Sequence, residues 1–227
     1  MINKIIPTDN PEEVILRYED VTSVFGGVKR AVFKNKGIYN SRIAEILSKV
    51  LEDAGVPTAY IRSISDREQL CRKTEPLPFQ MIVRNRLAGT TAELLGVEEG
   101  ARIPNVVYEI RYTGGVRRPL INRTHLVALG VVTAAEYDVI FDMAVKINDV
   151  LKSLYLKAGI ELVDFKMECG RTSDGRIVLS DAIDPDNSRL WDVATGERLD
   201  KDRFRYDMAR VATSYWEVME RLEKIVR

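Results

Sequence analysis

Between residues 163 and 181 the chain carries ionisable side chains in a spacing suited to metal and phosphate chemistry. In Val163-Asp164-Phe165-Lys166-Met167-Glu168-Cys169, period-two alternation sets Asp164, Lys166 and Glu168 on one face of a strand and Phe165, Met167 and Cys169 on the other. Asp174-Gly175 follows, then Arg176-Ile177-Val178-Leu179-Ser180-Asp181, which predicts a hairpin closed by a two-residue turn. In that register Glu168 lies directly opposite Asp181. Like charges facing each other on a sheet are destabilising, so the pair calls for a compensating cation. A hard divalent metal that also holds phosphate oxygens is the most economical one. A solvated strand face with weak surface ion pairs is the plain alternative. The segments Asp184-Pro185-Asp186-Asn187-Ser188-Arg189 and Leu199-Asp200-Lys201-Asp202-Arg203-Phe204-Arg205 gather further carboxylates, turns and cations just downstream, which favours a site.

Other residues invite two readings each. Arg84 with Ala88-Gly89-Thr90 offers a guanidinium, backbone N–H groups and a hydroxyl, a set suited to a phosphate monoester. It also reads as a strand-end arginine before a capping threonine. Arg189, Lys201 and Arg205 are cations for anionic groups or members of a charged surface loop. Lys36-Gly37 precedes the first long helix, where a lysine either binds an anion or stays exposed. His125 is the only histidine, which excludes mechanisms needing two and suits a structural role. Cys71 and Cys169 are too few for a disulfide framework and no Cys/His cluster suggests zinc.

These side chains need a scaffold, and 227 residues can bury a sizeable core. The 34 basic and 34 acidic residues cancel, so overall charge argues for neither a nucleic acid polymer nor an anionic membrane. No apolar run approaches the ~18 residues of a membrane span, and the N-terminus lacks a signal-peptide core, so a cytoplasmic protein is expected. Hydrophobic spacing predicts strands over 4–8 and 14–19, a glycine-bearing loop over 22–27, and a helix over 38–54 stopped by Gly55. Strands follow over 58–64, 68–73, 79–85 and 105–112. Helices are expected over 134–158, ended by Gly159, and over 203–225. The pattern is α+β: a β-rich N-terminal lobe with one long helix, residues 1–77, packed on a larger α+β lobe, residues 78–227.

The strings VDFKMECG, DAIDPDNSRLWD and LDKDRFR, with IVRNRLAGT at 82–90 and LGVEEG at 95–100, resemble the phosphoribosylaminoimidazole-succinocarboxamide synthase (SAICAR synthetase) family from about Asn3 to the C-terminus. The resemblance implies the SAICAR synthetase fold and a homo-oligomer. It also implies a ligase that uses ATP and magnesium to join the carboxylate of an imidazole or related azole ribonucleotide to the amine of aspartate or a similar donor. On matching positions, Glu168 and Asp181 would hold the metal. Lys166 would neutralise the transferred phosphoryl group and, with Lys36, contact the nucleotide. Asp186 would orient the amine. Arg84, Gly89 and Thr90 would anchor the ribotide phosphate, and Arg189, Lys201 and Arg205 would hold carboxylates. Departures also stand in the sequence. The glycine-rich YxGKxK strand of the family would already be ending where Met1-Ile2-Asn3-Lys4 stands. Ala182 and Asp184 replace a glutamate and a serine, Gly26 an acid or amide, and Arg111 and Arg118 a lysine and an aspartate. They predict weak nucleotide binding and leave an alternative: a divergent paralogue or pseudoenzyme that keeps the ribotide pocket but has lost or altered the ATP-dependent chemistry.

Overall fold

The computed structural model describes residues 4–226. The chain opens as the expected hairpin of β1 (Lys4–Pro7) and β2 (Glu13–Arg17). Over 22–27 a second hairpin replaces the expected loop: β3 (Val21–Val24) and β4 (Lys29–Val32) pair antiparallel. Its turn holds Phe25, Gly26 and Gly27 at φ of 54, 67 and 96°, a run of left-handed residues that glycine makes accessible. Helix α1 (Lys36–Asp53) buries Ile43, Leu47 and Leu51 along one stripe and stops at Gly55, φ 81°. Strands β5 (Tyr60–Ser65) and β6 (Glu68–Arg72) then complete a four-stranded sheet in the order β1-β2-β6-β5.

After the two-residue β7 (Glu75–Pro76) come β8 (Phe79–Leu87), α2 (Thr90–Leu95), β9 (Ala101–Tyr112), β10 (Leu120–Ile121), α3 (Arg123–Ala128) and α4 (Ala134–Lys157). The chain continues through β11 (Ile160–Met167), β12 (Cys169–Arg171), β13 (Ile177–Leu179), β14 (Ser188–Asp192), α5 (Asp202–Arg205) and α6 (Val211–Val226). A five-stranded antiparallel sheet runs β10-β9-β8-β11-β14. Its apolar face meets α4. Ile140, Ile147, Leu151 and Tyr155 pack with Met81 and Val83 of β8 and Phe165 and Met167 of β11, all essentially without solvent exposure. Burying each such side chain contributes roughly 1.5–3 kcal/mol. Ile43, Leu47 and Leu51 of α1 and Val218 and Leu222 of α6 belong to the same core. The first long helix is therefore anchored in the core of the larger sheet. His125 is structural: with Asn122 it forms the capping box that starts α3. No helix among the described residues is long and apolar enough to cross a membrane.

Two local expectations are corrected. The pairs Cys169↔Leu179, Gly170↔Val178 and Arg171↔Ile177 place Ser180, not Asp181, across from Glu168, one residue off the expected register. Thr172 N donates to Arg176 O at 3.0 Å and Gly175 N to Thr172 O at 2.9 Å, so the loop is the three residues Ser173-Asp174-Gly175. Gly175, φ 82°, supplies the left-handed residue that closes a three-residue loop, not half of a two-residue turn. The expected helix over 203–225 is broken between α5 and α6. There Arg203 Nε donates to Ala209 O at 2.7 Å, while Asp207 and Arg210 take φ of 56 and 65°.

Candidate active site

A cavity of about 880 Å³ opens between the first sheet and the charged face of β11. Ile5, Val14 and Leu16 form an apolar part of its wall, and the Phe25-Gly26-Gly27 turn another part. Lys166, Glu168, Asp181, Asp186, Lys201 and Arg205, all singled out from sequence, meet on this one cavity.

Glu168 and Asp181 converge despite the shifted register. The N–H groups of Ser180 and Asp181 both point at Glu168 O, at 2.9 and 3.4 Å, so Asp181 leaves the hairpin beside Glu168. Burial, then the negative charges of Glu168 and Asp184, push the Asp181 carboxyl well above the usual range. Glu168 itself accepts a hydrogen bond from Gln80 Nε2. Two crowded carboxylates with only a neutral amide for support fit a hard divalent cation, whose ligands are oxygens. Among the described residues no group of three or more His, Cys, Asp or Glu is arranged to hold a metal. A cation here would take its remaining ligands from phosphate and water, as magnesium does.

Lys166 forms no salt bridge among the described residues. Burial, reinforced by Arg189, Arg205 and Lys201, pulls its ammonium down to about 8 against the opposing charge of Asp164. Asp186 is held from three sides: by Lys36 Nζ, by Asn40 Nδ2 at 2.9 Å and by Tyr215 Oη at 2.9 Å. Burial alone would raise its carboxyl, but Lys36 and Lys201 hold it below the ordinary value. Lys36 is 1% exposed, in the first turn of α1 and 5.4 Å from the Tyr215 ring, and is not part of the cavity wall. Its ammonium is committed to Asp186.

The arginines form a second, buried assembly. Strand pairing sets Asp164 opposite Arg84 on one side and Arg189 on the other. Asp164 Oδ2 accepts from Arg84 Nη1 at 2.6 Å and from Arg189 Nη1 at 2.7 Å. The rest of the Arg84 fork donates to Glu109 at 2.9 and 3.0 Å, and Thr91 Oγ1 donates to the same carboxylate at 2.7 Å. Arg189 Nε continues to Asp202 at 2.8 Å, and Asp202 pairs with Arg205. Gly89 belongs here: a Cβ on it would sit 2.3 Å from Arg189 Nη2. Arg189 thus lies across the Gly89 backbone, next to the exposed Thr90 that starts α2. Arg84, Gly89, Thr90 and Arg189 are not part of the cavity wall; Asp202 links them to Arg205, which is. Sequence reasoning singled out Asp164 but assigned no role to the assembly's other carboxylates, Asp202 and Glu109. Asp202, three residues before Arg205, was visible as a helical ion-pair spacing, whereas Glu109 and Gln80 gave no signal.

A crowded carboxylate pair, lysines without a salt bridge among the described residues and an apolar recess make a cavity chemically suited to polyanionic substrates and phosphoryl transfer. The family model described as SAICAR synthetase matches residues 2–222. The phosphoribosylaminoimidazole-succinocarboxamide synthase of Clostridium beijerinckii is 47% identical over 222 residues, covering 97% of this chain and 94% of that protein. Its counterpart in Dichelobacter nodosus is 46% identical, with 97% and 93% covered. Among solved structures, the phosphoribosylaminoimidazole-succinocarboxamide synthase of Ehrlichia chaffeensis superposes with a TM-score of 0.95 at 34% identity, covering 97% of this chain and 95% of that one. A SAICAR synthetase in complex with ADP reaches 0.94 at 36% identity, with 98% and 95% covered. The chain belongs to the SAICAR synthetase family, ATP-dependent ligases that join a carboxylate to the amine of aspartate. A binding-only relative is not favoured at this level of identity.

Proposed function

We propose that the ligase reaction takes place in the 880 Å³ cavity, with magnesium held by Glu168 and Asp181. The observation that carries the assignment is the meeting of Lys166, Glu168, Asp181, Asp186, Lys201 and Arg205 on one cavity. The ADP bound by a relative supports nucleotide use in the same fold. Magnesium, when bound, would neutralise phosphate oxygens and orient the phosphoryl group for transfer. Lys166, half-buried and without a salt bridge among the described residues, stabilises charge developing on that group as the substrate carboxylate is activated. Asp186, kept ionised and immobile by Lys36, Asn40 and Tyr215, orients the incoming amine. The apolar wall of Ile5, Val14 and Leu16 receives the nucleobase, and Lys201 and Arg205 receive carboxylates. Arg189 with Gly89 and Thr90 receives the ribotide phosphate, Arg84 acting as a prop behind Asp164. We further propose a cytoplasmic homo-oligomer whose residues 1–77 and 78–227 form the two lobes, a state that light scattering of the purified protein measures.

The test is product formation from ATP, carboxyaminoimidazole ribonucleotide and aspartate with magnesium, compared with Glu168→Gln. The substitution is nearly isosteric and removes one charge from the metal pair. Loss of activity with an unchanged unfolding midpoint supports the assignment; a fully active Glu168→Gln protein removes it. The phosphate assignment is tested by calorimetry with the ribonucleotide and its dephosphorylated riboside. Charge-assisted hydrogen bonds contribute roughly 1.5–3 kcal/mol each, so the riboside is expected to bind about tenfold more weakly or worse.

A further inference from the structure

The reading above leaves three cationic side chains on the cavity wall without a task, Arg72, Lys73 and Arg118. Arg72 donates to Thr58 O and Tyr60 O and pairs with Glu52, and Lys73 has no planar fork, so Arg118 carries the one guanidinium of the three without a salt bridge among the described residues. Strand β9 ends at Tyr112 and β10 begins at Leu120; the connection closes with Arg118, which lines the cavity together with Gln80 and Glu168. Arg118 sits at φ 46°, a left-handed conformation that a residue with a Cβ adopts at a cost. The neighbouring chain holds it there. Arg111 Nη1 donates to Arg118 O at 3.1 Å, Tyr112 N donates to Pro119 O at 3.0 Å, and Arg111 pairs with Leu120 across the β9–β10 ladder. Strain held in place by surrounding bonds is characteristic of residues that meet a ligand.

The guanidinium itself is exposed and forms no salt bridge among the described residues. Arg84, Arg189 and Arg205 differ in this respect, each being bound to at least one carboxylate. Of the cavity's acids, Asp186 is engaged by Lys36, whereas Asp181 and Glu168, the latter bonded only to the neutral Gln80 amide, are the pair assigned above to the metal. An unpaired planar fork on the wall of a deep cleft matches an incoming oxyanion.

Resting on the ligase reading, we infer that Arg118 is a further substrate-contacting residue. Its guanidinium binds an oxyanion, carboxylate or phosphoryl, of a substrate in this cavity, and Arg111 is a positioning residue that holds the Arg118 backbone in its left-handed conformation.

Equilibrium binding of magnesium-ATP, carboxyaminoimidazole ribonucleotide and L-aspartate to wild type, Arg118→Ala, Arg118→Lys and Arg111→Met tests this. Arg118→Ala is expected to weaken one ligand by about tenfold or more, the loss that accompanies removal of a charge-assisted hydrogen bond. ATP as the affected ligand identifies a phosphoryl oxygen and aspartate a carboxylate; if the ribonucleotide is affected, its dephosphorylated form separates the two. Arg118→Lys restores part of the affinity, and the unfolding midpoint stays put because the side chain is exposed. Arg111→Met weakens the same ligand less, and adding it to Arg118→Ala has no further effect, since both act through one guanidinium. Affinities for all three ligands within about twofold of wild type in Arg118→Ala, a difference of about 0.4 kcal/mol, overturn the inference alone. A wild-type protein that binds none of the three overturns it together with the ligase reading.

Discussion

Two sets of cations share the charged side of the larger sheet, and they differ in one respect. Arg84, Arg189 and Arg205 are saturated by Asp164, Glu109 and Asp202, with a single oxygen of Asp164 bridging two guanidinium groups at 2.6 and 2.7 Å. Lys166, Lys201 and Arg118 line the cavity without a salt bridge among the described residues. All six are cations, yet the first set is braced by the protein's own carboxylates, so that Arg189 and Arg205 meet a ligand from within that network, while the second has no such brace among the described residues. Burying a charge in a paired network costs desolvation that only good geometry repays, and removing one partner leaves the other stranded. An unpaired cation at a cleft wall retains its attraction for an arriving anion.

Breaking the scaffold should produce the largest change. Asp164→Ala leaves Arg84 and Arg189 buried without their shared acceptor, and a loss of about 3–5 kcal/mol in unfolding free energy is expected by urea denaturation. A loss below about 1 kcal/mol would equate the network with surface ion pairs and erase the contrast. On the cavity side, Glu168→Gln should lower turnover by at least about 100-fold, close to 2.7 kcal/mol of transition-state stabilisation, without moving the denaturation midpoint. The reverse outcome, an active but destabilised variant, would assign Glu168 to the scaffold. Gly89→Ala lies between the two regions. Its Cβ would meet Arg189 Nη2 at 2.3 Å on a backbone at φ 59°, so a cost of about 1–3 kcal/mol and weaker ribonucleotide binding are expected together.

The smallest expected effect is a pH dependence. Asp200 accepts N–H groups of Leu190 and Asp202 at 2.8 and 2.7 Å, and burial lifts its carboxyl to about 7 against the opposing charges of Arg189 and Arg198. A folded-state value above the unfolded one means that the protonated acid favours folding. That stability is complete below the unfolded value of about 4 and is lost as pH rises through about 7. Asp200→Asn cannot ionise, so its stability relative to wild type should rise between those limits. A difference that stays flat from acid to neutral pH would mean that Asp200 is ionised throughout and belongs with the saturated acids.

Much of the scaffold was legible locally. Alternation along β11 correctly separated Phe165 and Met167 from Lys166 and Glu168. The apolar stripe of α4, with Thr133 and Glu136 capping its start, fell within a residue of its predicted limits. Asp174-Gly175 located the hairpin but misjudged its register, because a left-handed glycine closes two- and three-residue loops alike. Even so, Glu168 and Asp181 meet on the cavity, since Asp181 lies beyond the paired strand and its position does not depend on alternation.

Periodicity, turn chemistry and capping depend on neighbours in the chain, and through them the sequence by itself determined the α+β class, the long helices and principal strands, their apolar faces and the residues that carry charge, but not the β3–β4 hairpin, the shorter elements or the break between α5 and α6. Which charges remain free was decided only by tertiary structure. Arg84 is saturated by a carboxylate 25 positions away and another 80 away, and Asp186 is fixed by a lysine 150 positions earlier. An ion pair forms or fails over a few tenths of an ångström between elements brought together by packing, and no local pattern encodes that distance.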